Sequence, residues 1–367
     1  MKAFPALAAT LSVVTALLTA CSAAPAGSTT PRSTGSVTPS GGASGARTTV
    51  APPSAIRVFG RIFDNPGVTV TGGRLYVTWQ VNAATAAVPR FELTRVDQAD
   101  GAIEAALPLI AGQAGTPLSA GGWLWVPVAT PSGESLLRLN PVDLARAGEL
   151  SIRGVPDPGT NGGSHLAVAD GSLWVADGGR LLRVSLTTGQ LVTTIPLAGA
   201  ATSGVAANKN GTVLVVTEGT DGGLGQVQRR NPVSGTVMAS YQMIGVAAPE
   251  IGGVIESGVW IAEPTGMMGY IERFRAAGLA PDPATQLEGT NGIRVRVASG
   301  LVWITEGANP SHDYCADPVT GHVLARLPLP DPFQDGVLAV SSRYVYYDSP
   351  ADHGFYLERL TVPAACR

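Results

Sequence analysis

Five carboxylates recur at one offset: Asp177, Glu218, Glu263, Glu306 and Asp348 each stand three residues beyond the centre of a short apolar motif. Carboxylates arrayed on an arc around one face can contact a cationic or metal ligand, or accept hydrogen bonds from the backbone amides of neighbouring turns. Two cations alternate along Ile293-Arg294-Val295-Arg296-Val297. Buried without partners they would be costly, so pairing with Glu263, Glu306 or Glu256 is expected, and binding of an anionic group is the alternative. The chain has four histidines. His165 opens a strand, while His312 and His353 adjoin Asp313 and Asp352, and imidazole with carboxylate is a donor set for a divalent metal. No local ligand spacing reinforces that reading, and His322 reads as structural.

The elements that must carry these residues repeat. Leu75-Tyr76-Val77, Leu124-Trp125-Val126, Leu173-Trp174-Val175, Leu214-Val215-Val216, Val259-Trp260-Ile261, Val302-Trp303-Ile304 and Tyr344-Val345-Tyr346 have centres spaced 49, 49, 41, 45, 43 and 42 residues apart. Seven copies at that period imply a seven-bladed, all-β propeller. One unit reads as four strands, His165 to Ala169, Leu173 to Asp177, Leu181 to Leu186 and Gln190 to Leu197, separated by Asp170-Gly171, Gly178-Gly179 and Thr187-Thr188-Gly189. The third turn returns as Asn231-Pro232-Val233-Ser234-Gly235 and Asp317-Pro318-Val319-Thr320-Gly321, with Gly supplying positive φ. The central aromatics read as packing between blades.

The last unit stops one strand short after Val337 to Val340, Tyr344 to Tyr347 and Phe355 to Thr361, and Ala55 to Phe63 has no place in the first. That leading segment is therefore expected to be the outer strand of blade seven, closing the ring and removing an exposed edge. In such a blade the links between blades and the turns after second strands share one face, called the top, and the remaining turns form the bottom. The leading strand starts at the bottom.

Residues 1–20 carry Lys2 and then an uncharged, Ala- and Leu-rich run ending in Leu18-Thr19-Ala20-Cys21, the pattern of a signal peptide followed by a lipidated Cys21. Residues 22–54 contain five prolines, no acid and no aromatic, and read as a disordered tether. The domain plan is thus residues 1–20 as signal peptide, 21–54 as lipidated cysteine and tether, and 55–367 as propeller. With Cys21 lipidated, Cys315 and Cys366 remain as an even pair in an oxidising compartment, where a disulfide is expected and two free thiols are the alternative. Charged residues make up 14% of the chain and the net charge is −3, which excludes the basic stripe that a nucleic-acid partner requires.

Leu173-Trp174-Val175-Ala176-Asp177, Val259-Trp260-Ile261-Ala262-Glu263 and Val302-Trp303-Ile304-Thr305-Glu306 resemble the repeats of virginiamycin B lyase-like propellers, and the turns resemble those of YVTN-type and NHL-type surface propellers. The resemblance implies the fold. In the lyase it implies a His before Gly and an aliphatic residue, with acids and magnesium nearby, but the matching segments here are Ser203-Gly204-Val205, Asn291-Gly292-Ile293 and Asp335-Gly336-Val337, and His165 precedes Leu. The expectation is a monomeric, extracytoplasmic lipoprotein on the bacterial cell membrane, needing no cofactor and binding a peptide, glycan or protein on its top face and in its channel. The alternative is a metal-dependent lyase or hydrolase using His165, Glu306, His312 or His353.

Overall fold

The computed structural model describes residues 54–60, 66–81, 90–109, 112–130, 133–152, 165–197, 202–208, 210–217, 224–243, 250–255, 258–265, 268–282, 287–290, 294–306, 312–327, 337–351 and 354–367. They form seven antiparallel sheets whose strands follow chain order from the inside out, except in blade seven. There Ser54–Gly60 pairs with Gly354–Thr361, outside Tyr344–Ala351 and Val337–Val340. The ring is closed by the leading strand, as the strand count requires. Blade two also departs from the common plan, its inner strand being split into Gln113–Ala114 and Leu118–Ala120 around Pro117, which lacks the amide the ladder needs.

Burial follows radius. The second strand Ser172–Asp177 is buried at all six positions because both its faces meet neighbouring blades, whereas the outer strand Val237–Gln242 alternates exposed and half-buried residues. Seven apolar clusters occupy the seven seams between blades. Each second strand divides its side chains between two seams: Leu173 and Val175 face blade two, and Trp174 faces blade four.

This alternation corrects the repeat in two blades. In blade four Val213 and Val215 face back to blade three, and Leu214 is the residue turned toward blade five. In blade seven Val345 faces back to blade six, and Tyr346 is turned toward blade one. The true equivalents are therefore Tyr76, Trp125, Trp174, Leu214, Trp260, Trp303 and Tyr346. A strand has period two, so an error of one residue moves a position to the opposite seam. Short apolar runs with no aromatic at the centre, or with Tyr on both sides, conceal that shift.

The corrected register exposes a second repeat. Opposite those seven residues, on the third strands, stand Arg95, Arg138, Arg183, Arg229, Arg273, Cys315 and Arg359. Several of these cross-strand pairs reach the bottom turn of the following blade. Tyr76 Oη and Arg95 Nη1 both donate to Pro141 O, at 2.9 and 3.2 Å. Arg229 donates to Ala276 O at 3.2 Å and to Ala277 O, Trp260 Nε1 to Pro318 O at 3.0 Å, and Arg359 to Gln98 O and to Ala99 O at 3.0 Å. The last contact joins blade seven to blade one. Arg138 stacks 4.7 Å above Trp123, and a Cβ at Gly189 of the next blade would overlap its guanidinium. Arg183 instead stays in its own blade, donating to Ser172 Oγ at 2.8 Å.

The receiving turns share one geometry. The amides of Gly101, Leu144, Gly189, Gly235, Leu279 and Gly321 each return to the carbonyl four residues earlier, and each of these residues has positive φ. Leucine at φ 59° and 54° is strained, and burial of Leu144 and Leu279 at 2% and 1% exposure offsets that cost. Blade seven has no third-to-fourth turn, because its outer strand comes from the other end of the chain. The segment after Thr361 takes that place, and its short 3-10 turn Ala364–Cys366 carries the cysteine bonded to Cys315. The clasp that several other seams make with Arg, Tyr or Trp side chains is covalent between blades six and seven.

Replacing Cys366 with Ser is expected to cost about 2–5 kcal/mol, and Arg359→Ala about 1–3 kcal/mol. Denaturant midpoints at constant m-value would measure both; values unchanged from wild type would refute the clasps as stabilising contacts.

Candidate functional site

The inner strands surround a cavity of about 520 Å³ lined by all seven blades. Its wall is mainly aliphatic because the inner strands are short Val-, Leu- and Ala-rich runs; the titratable side chains that line it are His165 and Arg296. His165, immediately before Leu166–Ala169, sits at the top where its inner strand begins, and Arg296, the third of the five residues of Arg294–Ala298 and opposite Trp303, sits midway down the wall.

The position of Arg296 follows from glycine on one side and its absence on the other. In the inner strand of blade five, Glu250–Ile255, a Cβ at Gly252 would lie 2.6 Å from Val295 Cγ1 and 2.7 Å from Val295 O. Blades five and six therefore meet backbone to side chain with no room between. Strand alternation turns Val295 toward blade five and Arg296 toward blade seven. There its Nε donates to Val337 O at 2.8 Å.

Glu250, the first residue of its strand, is buried at 6% exposure. Burial pushes its carboxyl upward from the usual carboxylate range, and the attraction of Arg296 and Arg294 opposes that push. Burial likewise lowers Arg296, and Glu250 counters it. Sequence reasoning expected Glu263, Glu306 or Glu256 as the partners of these arginines. Glu250 was overlooked, although a lone acid heading the apolar run Ile251-Gly252-Gly253-Val254-Ile255 is a legible signal. Arg294, half-buried beside Thr305 in the ladder, has contacts of its own.

His165 is pushed down to about 4 by burial, so the imidazole is neutral in the folded protein at physiological pH. Its carbonyl accepts the Ala176 amide at 2.9 Å, extending the ladder by one residue toward the top.

The acidic arc resolves into different situations. Asp177 is buried at 1% exposure and pairs with Arg180 across the tight Gly178-Gly179 turn. Glu263 and Glu306 occupy the equivalent register position, with Glu306 directly opposite His312 in the ladder. His312 thus begins the third strand of blade six, His312–Ala316, and does not lie in the turn before it. Asp348 stands two residues beyond Tyr346, out of register with the other three. Glu218 and His353 lie outside the described residues, as do Cys21 and the rest of residues 1–53. Among the described residues no three His, Cys, Asp or Glu side chains converge as a metal site.

No family model matches the chain, and no curated protein matches it. Solved structures do. BamB from Moraxella catarrhalis is similar at 14% identity and a TM-score of 0.51, over 85% of this chain and 99% of that one. A chain of the Mitotic Checkpoint Complex gives 13% identity and 0.61, over 89% and 96%. The Pan2 WD40 domain of Neurospora crassa gives 11% and 0.54, over 81% and 89%. At these identities the likeness is one of fold, an all-β propeller.

The lowered His165 value gives a signed prediction. The unfolded chain protonates near 6.5 and the folded one near 4, so this group's contribution is present above about pH 6.5 and is lost as pH falls toward 4, by about 3 kcal/mol at most. Glu250, raised in the folded state, acts in the opposite sense but is common to wild type and a His165→Gln variant. The stability difference between the two should be constant above pH 6.5 and shift in favour of the variant below it. A difference independent of pH from 7 to 4 would refute a buried neutral imidazole.

Proposed function

We propose that the chain is an exported lipoprotein, acylated at Cys21 and tethered by residues 22–54, whose propeller is a binding or scaffold module for a peptide, glycan or protein partner outside the cell membrane. The supporting observation is the unequal treatment of the two faces. Bottom connections are short and nearly uniform: two to six residues join inner to second and third to outer strands, apart from residues 276–286 in blade five. Top connections vary far more in length: the turns after the second strands of blades two, three, five and seven have two residues each, whereas residues 81–90, 153–165, 218–225 and 328–336 form long links. Long connections on a rigid frame are where recognition is commonly carried, whereas short uniform turns serve the frame. The top end of the channel, where His165 stands, is on the same face.

The leading strand begins at the bottom, so a lipid anchor upstream of Ser54 would leave the top face free for a partner. One feature favours the alternative, a metal-dependent lyase or hydrolase of the virginiamycin B lyase-like kind: Glu306 and His312 are direct cross-strand neighbours at the top of blade six. Millimolar Mg²⁺, Mn²⁺ or Zn²⁺ raising the melting temperature of wild type, but not of His312→Ala, would establish that reading instead.

Two measurements test the proposal. The native mass should exceed that of the chain beginning at Cys21 by its acyl groups, and Cys21→Ser should release the protein from membranes; an unmodified, soluble mature chain would refute the anchor. Crosslinking on intact cells should capture partners that are lost on deletion of residues 153–164. Recovery of the same set from the deleted, folded protein would remove the top face from the account.

A further inference from the structure

The channel contains a guanidinium that the fold orients but does not saturate. Arg296 donates Nε to the Val337 carbonyl at 2.8 Å, which fixes the plane of the group. Among the described residues its two terminal nitrogens have no hydrogen-bond partner, and the residue lines the cavity. Glu250 attracts it electrostatically without bonding to it among those contacts. Arg296 is half-buried, so those two nitrogens face the cavity with donors available to an acceptor that enters it. The two terminal nitrogens of arginine form the fork that fits a carboxylate with two parallel hydrogen bonds.

The surroundings narrow the choice of anion. Around Arg296 the cavity wall is built from residues such as Val70, Leu118, Val168, Val254 and Leu338, which favour an apolar body. Its volume of about 520 Å³ suits a small organic molecule, since such sites span roughly 300–1,000 Å³. Glu250 close by disfavours a multiply charged anion. We propose that the channel binds a monocarboxylate with a short aliphatic or aromatic body, its carboxylate on Arg296 midway along the channel and its body along the apolar wall. This rests on the binding-module reading and supplies a ligand class for the same site. The peptide C-terminus of a partner and a free carboxylic acid share the chemistry, and an amide control tests it for both.

Isothermal titration of the full chain with hexanoate and phenylacetate, against hexanamide, phenylacetamide and inorganic phosphate, is the direct test. Saturable binding of the carboxylates, with the amides and phosphate weaker by about 10-fold or more, is expected for charge-assisted bonds to the fork. Arg296→Gln should reduce carboxylate affinity by a similar factor, and Arg296→Lys, which keeps charge but loses the fork, should fall between. Equal affinity for acid and amide, or no carboxylate binding at millimolar concentration, overturns the proposal, and neither comparison requires a variant to fold. A second arm repeats the titration with an acetylated tripeptide ending in a free carboxylate and with its C-terminal amide; preference for the free carboxylate supports the site as a peptide-end receptor. If the small acids and the peptide acid all fail while crosslinked partners are still recovered from cells, the channel ligand falls and the binding module stands.

Discussion

Seven sheets that satisfy their backbone hydrogen bonds internally have no ladder joining one to the next, so the ring must be held by side chains crossing the seams. Apolar packing fills each seam. It is largely non-directional, however, and does not by itself fix the angle between blades. The bottom rim supplies direction: a third-strand arginine, or the second-strand Tyr or Trp beside it, reaches the carbonyls of the next blade's turn at several seams. Turn carbonyls suit this role because the turn leaves them without ladder partners. Blade six carries Cys315 at the arginine position, and blade seven offers Cys366 in place of a turn. The disulfide therefore occupies a defined place in the repeat, at the seam where the third-to-outer turn is missing.

The geometry at the rim has consequences at the centre. Gly252 and Gly253 allow blade five to press against Val295 and Val297, and the same alternation directs Arg296 to the other seam and the channel. A charged side chain in an inner strand is thus tolerated where one seam has been tightened by glycine and the other supplies a carbonyl. Trp125 and Trp174 are almost completely buried and are components of the frame. In the proposed binding module, recognition would fall to the top connections and to the polar groups of the channel.

Much of this was legible in the sequence for a physical reason: second strands are buried on both faces and must be apolar, so their recurrence announces the blades. The closing strand followed from counting, because a ring tolerates no unpaired strand. The register of blades four and seven was obscured because Leu214-Val215-Val216 has no aromatic and Tyr344-Val345-Tyr346 has two, so no single aromatic marks the outward face. The third-strand arginines went unread because each is isolated in sequence and acquires meaning only from the aromatic opposite it. Glu250 was missed for a related reason, since its partners lie in the next blade, more than forty residues away. Leu144 and Leu279 hid two of the uniform turns by standing where glycine usually supplies the positive φ.

If the ring is one closed structure, the leading strand is as deeply integrated as any other although it is sequentially remote from its partner. Native-state hydrogen exchange measures this directly. In the register Ser54 to Arg359 and Ile56 to Leu357, the hydrogen-bonded amides of Ser54–Gly60 should exchange with the same opening free energy as those of Gly354–Thr361 and of the second strands, through global unfolding. Exchange of the leading strand at near-zero opening free energy, with the remaining blades protected, would contradict the closed ring on which the clasps, the channel and the orientation of the top face all rest.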